Sequence, residues 1–203
     1  MKLAVFVSGR GSNLRAIIQS EELKDLAKVS VVVSDKINCA AFEIAKERNI
    51  LCLSVSSANK SGYCSFSQIT EKLDELGVEL VVLAGFLKLI PVEFVTHFSG
   101  RIINIHPALL PSFGGKGMYG INVHKAVFSS SAKVSGPTVH FIDETYDTGK
   151  IIAQKSVDIS DVKSPEEIAE RVLQAEHVIL PYVIKKIAEG KVLNQNNRII
   201  IAE

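Results

Sequence analysis

The sequence predicts an α/β protein: a Rossmann-like, mostly parallel twisted sheet with helices on both faces and mixed strands in its C-terminal half. Three observations lead there. Short continuous apolar runs recur along the first hundred residues, and amphipathic stretches at helical spacing separate them. Beyond that point the apolar runs lengthen and a long Gly-rich loop intervenes. Repeated strand–helix–strand units imply parallel pairing through right-handed crossovers.

Each element follows from its own residues. Leu3-Ala4-Val5-Phe6-Val7 is continuously apolar, as a strand covered on both faces is. Ser12-Asn13 open a helix with apolar Leu14, Ile17 and Ile18. Val29 to Val33 reads as the second strand, about 39–48 as the second helix, and Leu51-Cys52-Leu53 as a short third strand. A Ser-rich loop runs from Ser54 to Ser61, and Phe66, Ile69, Leu73 and Leu76 mark the next helix. Leu80 to Ala84 is another buried strand, and Arg101 to Ile105 a strand that runs into His106-Pro107. The loop from Leu110 to about Tyr119 carries Gly114, Gly115 and Gly117, which suits a segment that moves. Val134 to Asp143 and Ile151 to Val157 read as two longer strands around a loop at Asp147-Thr148-Gly149. Residues 164–189 form a long helical pattern with Ser164 as cap and Pro165 at its first position. Pro181 is expected to kink or divide it. The tail reads as a hairpin, Val192-Leu193 against Arg198 to Ile201, turning at Asn196-Asn197. One domain is expected over 1–203, with a hinge near residue 100.

Composition narrows the function classes. At 203 residues the chain can bury a full core without staples. Lys and Arg number 23 against 22 Asp and Glu, a net charge of +1 that gives no global attraction to nucleic acid or to a membrane surface. Cys39, Cys52 and Cys64 are odd in number and match no zinc or redox spacing, so a reduced, cytoplasmic protein is expected. No apolar run approaches the ~20 residues that span a bilayer. The first apolar stretch ends at Gly9, too short for a secretory leader.

Two constellations carry chemistry. Ser8-Gly9-Arg10-Gly11-Ser12-Asn13 joins a buried strand to a helix. Successive N–H groups at a helix start, helped by the helix dipole, form an anion site. The third glycine of a dinucleotide loop is missing, and so is the Lys-Ser/Thr pair of a P-loop. A single phosphate fits best; a tight turn with no ligand would use the same residues. The second constellation is Asn104-Ile105-His106-Pro107 at the C-terminal end of a strand, where open parallel sheets bind ligands. Asn104 and His106 are two apart and share a face. An amide donor beside an imidazole suits oxyanion stabilisation and proton movement, although a polar pair capping a loop would look the same. Asp147 could hold such an imidazole in its charged form, or could simply belong to an Asp-Gly turn. The remaining histidines read more blandly. His97 is expected exposed at a helix end, and His124 on a helix at the surface or one layer back from a site. His140 is expected in a strand, facing either a site or the sheet, and His177 on the long helix. No spacing suits a metal, and none is expected.

Together these segments resemble the phosphoribosylglycinamide formyltransferases, folate-dependent enzymes of purine synthesis. The resemblance rests on Val7 to Leu14, Val82 to Phe86, Asn104-Ile105-His106-Pro107-Ala108-Leu109-Leu110-Pro111, Val139 to Gly149, and Arg171-Val172 with Glu176-His177. It covers essentially the whole chain. It implies the formyltransferase fold, with 1–100 as a phosphate-binding half and 101–203 as a catalytic and folate half. It implies Asn104, His106 and Asp147 as the catalytic trio. Gly11, Ser12, Asn13, Pro107 and Glu176 would bind the ribonucleotide. Phe86, Leu87, Lys88, Leu89, Ile90, Asn104 and His140 would bind folate. The implied reaction is direct transfer from 10-formyltetrahydrofolate, a co-substrate, to the amine of glycinamide ribonucleotide, with His106 as general acid and no metal. The implied partners are small molecules only, and the implied state is a monomer or homodimer. The family usually has an Arg just before the middle helix; here Ser61-Gly62-Tyr63-Cys64-Ser65 has none, and Lys60 is the candidate substitute. A formyltransferase acting on tRNA would be expected to add a C-terminal domain, and a formyltetrahydrofolate hydrolase an N-terminal one. A phosphate- or nucleotide-binding module without catalysis is the alternative from another class.

Overall fold

The first compact unit, Met1–Ile103, runs β1 (Lys2–Val7), α1 (Ser12–Gln19), a 3₁₀ turn at Glu21–Leu23, β2 (Lys28–Ser34), α2 (Ala41–Lys46), β3 (Leu51–Ser54), α3 (Phe66–Leu76), β4 (Leu80–Leu83) and α4 (Val92–His97), and it includes the start of β5 (Ile102–His106). The second, Asn104–Glu203, holds the end of β5 and then α5 (Ile121–Ser129), β6 (Val134–Ser135), β7 (Thr138–Phe141), β8 (Ile151–Gln154), β9 (Val157–Asp158), α6 (Pro165–Ala188), β10 (Val192–Gln195) and β11 (Arg198–Ile201). The structure is a computed structural model that describes residues 1–58, 60–145 and 147–203; Asn59, in the Ser-rich loop, and Tyr146 lie outside the described residues. Hydrogen bonding orders seven strands as β3-β2-β1-β4-β5-β7-β8, a mostly parallel, mixed sheet.

In the first unit every residue of β1 from Leu3 to Val7 is buried, because it pairs in parallel with β2 on one side and β4 on the other. The aromatic core explains how helices attach. Phe94 of α4 meets Phe6 of β1 and Phe66 of α3 edge-on, each at 5.7 Å between ring centroids. Such contacts add to the value of plain area burial. The ends of α3 are fixed by sequence: Ser65 and Gln68 form a reciprocal capping box, and Gly77 closes the helix in a left-handed conformation.

The second unit departs from expectation twice. The two longer strands expected over 134–143 and 151–157 are each broken. β7 pairs antiparallel with β8, while β6 and β9 form a separate two-stranded ribbon. Pro137 lies between β6 and β7 and has no N–H to give a ladder. Pro181 does not divide the long helix, which runs without interruption from Pro165 to Ala188. Its buried face holds it together: Ile168, Val172, Ile179, Leu180, Val183 and Ile184 are all buried. Its start is as expected, with the Ser164 hydroxyl accepting from the Glu167 N–H at 3.2 Å. The tail hairpin is also as expected, and Asn196 and Asn197 both have positive φ, as a tight two-residue turn requires.

One buried clamp fixes the segment that follows β5. The Thr138 hydroxyl donates to the Ala108 carbonyl at 2.7 Å and accepts from the Leu110 N–H at 3.0 Å. Gln154 Nε2 donates to both the Thr138 hydroxyl and the Leu110 carbonyl. Thr138→Val keeps the volume but strands a buried N–H and carbonyl. It should cost about 1–3 kcal/mol, read as a lower urea midpoint at unchanged slope.

Candidate active site

In the first unit the loop expected to bind an anion joins β1 to α1. Gly11 stands at the head of α1 with φ 75°, and no side chain caps the helix. The helix therefore begins on Gly11, which has no side chain to serve as a cap, rather than on Ser or Asn. A β-carbon on Gly11 would lie 2.6 Å from the Ala41 β-carbon, so the loop also sits hard against α2. Asn13 is buried at the first turn, while Ser12 is half-buried. Ser8 ties this loop to the segment after β4: its N–H donates to the Gly85 carbonyl at 3.0 Å, and its hydroxyl accepts from the Leu87 N–H at 2.9 Å.

That segment is the expected folate wall. Phe86 and Ile90 are buried and anchor it, while Leu87 and Leu89 are 46% and 54% exposed. Apolar side chains held out by buried neighbours suit a ligand surface. A cavity of about 300 Å³ opens beside it, lined by Phe66, Phe86, Tyr63, Lys60, Lys88 and Asp35 among others. It brings Lys60, next to the segment where the expected Arg is missing, together with Lys88 from the segment after β4.

In the second unit four polar side chains converge at the end of β5. His106 is 3% exposed. Its Nε2 donates to the Phe113 carbonyl at 2.9 Å, and its Nδ1 lies 3.6 Å from Asp147 Oδ2. The Gly115 N–H donates to that same Oδ2 at 2.8 Å. Asp147 Oδ1 lies 3.7 Å from His140 Nε2. Asn104 Nδ2 lies 3.1 Å from the same ring nitrogen, and His140 Nδ1 donates to the Phe141 carbonyl at 2.8 Å. Burial, above all other causes, lowers the His140 pKa below its ordinary 6.5. The structure thus brings Asn104, His106, Asp147 and His140 together. Pro107 is half-buried directly after His106, and Glu176 is 8% exposed on α6. Sequence reasoning missed the Phe113 carbonyl and the Gly115 N–H, since backbone groups leave no residue-type signal. The Phe113 backbone is left-handed at φ 57°, and its side chain packs against Val127, Ile159, Ile168 and Val172, which fixes where that carbonyl points.

The other histidines fall out as follows. His97 is exposed at the end of α4, within 2.9 Å of Asp74. His124 is not at the surface: it is 6% exposed on α5, and its Nδ1 is buried without a partner among the described residues. His177 is half-buried on α6. Among the described residues no three His, Cys, Asp or Glu side chains form a metal-binding group, and no helix is long and apolar enough to cross a membrane.

The first unit thus carries a glycine-led loop at a helix start, and the second an Asn–His–Asp cluster at a strand end. The chain belongs to the formyl transferase family, whose pattern matches residues 1–184. Within it, the relatives carry a narrower name. Phosphoribosylglycinamide formyltransferase of Bacillus subtilis is 39% identical over 97% of this chain and 97% of its own length. The chloroplastic phosphoribosylglycinamide formyltransferase of Arabidopsis thaliana is 48% identical over 94% of this chain, which spans 66% of that relative's length. The chain spans only 19% of the trifunctional purine biosynthetic protein adenosine-3 of Homo sapiens, at 35% identity. The crystal structure of phosphoribosylglycinamide formyltransferase from Anaplasma phagocytophilum superposes with TM-score 0.89 at 32% identity, over 100% of this chain and 93% of that one. A formyltetrahydrofolate deformylase from Pseudomonas syringae, at 21% identity and TM-score 0.86, shares the fold.

The geometry has consequences for stability. Gly11→Ala forces a β-carbon onto Ala41 and a strained φ, and should cost about 1–3 kcal/mol in thermal or urea unfolding. For His124, burial first and the His106 charge second push the pKa from 6.5 down to about 4. Above pH 6.5 the ring is neutral in both states; as pH falls toward about 4 the unfolded chain takes up a proton that the folded protein resists. Stability is therefore lost over that window, and His124→Gln should show a shallower fall in urea midpoint than the wild type.

Proposed function

We propose that this chain transfers a formyl group from 10-formyltetrahydrofolate to the amine of N1-(5-phospho-D-ribosyl)glycinamide in de novo purine synthesis. The observation that supports it most is the meeting of Asn104, His106 and Asp147 in one unit of a formyl transferase family member. In the reaction, a bond forms between the amine nitrogen and the formyl carbon, the bond from that carbon to the folate nitrogen breaks, and one proton passes from the amine to that nitrogen.

The residues divide the work. The Asn104 amide and a His106 N–H donate to the oxyanion that develops on the formyl oxygen. His106 has an acceptor near each ring nitrogen, the Phe113 carbonyl and Asp147 Oδ2. A ring so placed is matched when both nitrogens carry hydrogen, which is the form that acts as general acid. Substrate binding exchanges the Phe113 carbonyl for the formyl oxygen at Nε2. Asp147 holds the ring and receives water for the proton relay. Gly11, Ser12 and Asn13 offer N–H and side-chain donors to the ribose phosphate, and Glu176 and Pro107 bound the glycinamide end. Exposed Leu87 and Leu89 take the pterin and ring portion of the folate, with Phe86 and Ile90 beneath. Lys60 and Lys88 in the neighbouring cavity stand in for the missing Arg and receive the carboxylates of the folate tail. The protein acts in the cytoplasm or an equivalent reduced compartment, as a monomer or homodimer.

The test is formyl transfer from 10-formyltetrahydrofolate, followed by absorbance with and without the ribonucleotide. Activity that requires the ribonucleotide, and that falls by about 100-fold or more in His106→Ala and in Asn104→Ala, is expected. Folate turnover without the ribonucleotide would instead identify a hydrolase, and no turnover a binding module.

A further inference from the structure

His140 is fully buried, so it offers no ring surface to a ligand. Its two nitrogens nevertheless have defined and different jobs. Nδ1 sits 2.8 Å from the Phe141 carbonyl, which can only accept, so Nδ1 carries the hydrogen. In the neutral ring Nε2 then bears a lone pair, and the group 3.1 Å away is the nitrogen of the Asn104 amide. The bond runs from Asn104 Nδ2–H to His140 Nε2. It is satisfied in one direction only.

We propose that His140 is a positioning residue that orients the Asn104 amide for the transfer reaction, an inference that rests on the role given to Asn104 above. An asparagine amide has two faces of similar shape, one donating and one accepting, and nothing in its own rotamers selects between them. The His140 lone pair selects. It takes one N–H of Asn104 Nδ2 and leaves the second N–H of the same nitrogen to donate to the formyl oxygen. A flipped amide would turn its oxygen toward His140, set two lone pairs against each other, and withdraw the donor from the reaction. The Phe141 carbonyl sets the tautomer, the tautomer sets the amide, and the amide serves the substrate.

Burial first, and the His106 charge after it, keep the ring neutral, against the carboxylates of Asp147 and Asp143, which favour a proton on it. His140 faces Asp147 and Asp143 from the loop after β7, and His106 from β5. A proton on Nε2 would point an N–H at the Asn104 NH₂ group and draw the Asp147 carboxylate, whose Oδ1 lies 3.7 Å away, toward His140 and away from His106. Burial opposes that proton.

Three variants test the assignment: His140→Leu, which fills the space without an acceptor, His140→Gln, which keeps an acceptor, and Asn104→Ala with His140→Leu combined. In the formyl-transfer assay His140→Leu should lower kcat by about 10-fold or more, with both KM values within about 2-fold of wild type. His140→Gln should recover most of that loss. In the Asn104→Ala background, adding His140→Leu should change kcat by less than about 2-fold, because the two residues act as one unit. Equal fold-losses in both backgrounds would overturn the proposal, and so would wild-type kcat in His140→Leu or a loss confined to the folate KM. If circular dichroism shows that His140→Leu does not fold, His140→Gln decides: a folded variant more than about 10-fold slower overturns it. A wild type without ribonucleotide-dependent transfer overturns the functional reading and this inference with it, whereas an active wild type beside an equally active His140→Leu overturns this inference alone.

Discussion

The polar cluster of the second unit depends on where one carboxylate is held. Asp147 adopts a left-handed backbone, φ 56°, which is uncommon for any residue but glycine and tolerated best by Asn and Asp. Two residues on, Gly149 passes so close to the Phe141 carbonyl that a β-carbon would overlap it. The loop is thereby folded back onto the end of β7. The Gly115 N–H then fixes Oδ2, and the carboxylate sits between two buried imidazoles, nearest atoms 3.6 and 3.7 Å away. Those rings differ in what else they meet. His106 meets an acceptor near each ring nitrogen, while at His140 Nε2 the Asn104 amide nitrogen, at 3.1 Å, is nearer than the carboxylate. One negative charge therefore serves two histidines with different hydrogen-bonding duties.

The strand-to-helix loop of the first unit follows a simpler rule. A helix that begins on a glycine has no cap side chain of its own, and no acidic residue lies in its first turn. The cost of that arrangement is offset by anchoring elsewhere: Ser8 is tied to Gly85 and Leu87, Lys36 Nζ donates to the Ser8 carbonyl at 2.7 Å, and Gly11 packs against Ala41. These contacts fix the segment that leads from β1 into α1.

Much of the fold is legible in the residues alone. The parallel core follows from runs such as Leu3 to Val7 and Leu80 to Leu83, whose unbroken apolarity belongs to strands covered on both faces. Asn104 and His106 share a face because strand periodicity demands it. The Asn196-Asn197 turn follows from residues that accept positive φ. What stays hidden depends on the rest of the chain. Pro181 remains within a helix because the buried face of α6 outweighs a lost hydrogen bond, and that balance is tertiary. The division of the strands around Pro137 depends on which partner each half finds. His124 lies at one position of an otherwise ordinary amphipathic helix, and only packing shows that it is buried. The Phe113 carbonyl and Gly115 N–H are backbone groups, so no residue type announces them. His140 is visible as a strand residue, but the direction of its bond to Asn104 needs the Phe141 carbonyl beside it.

The most direct measurement is the state of the histidine rings at neutral pH, read by long-range proton–nitrogen correlation NMR on the protein labelled with ¹⁵N histidine and assigned by single substitutions. The predicted result is a neutral His140 with hydrogen on Nδ1 and a bare Nε2 that shifts when Asn104 is replaced by Ala. A His140 protonated at both nitrogens, or carrying its hydrogen on Nε2, would contradict the roles assigned to both residues.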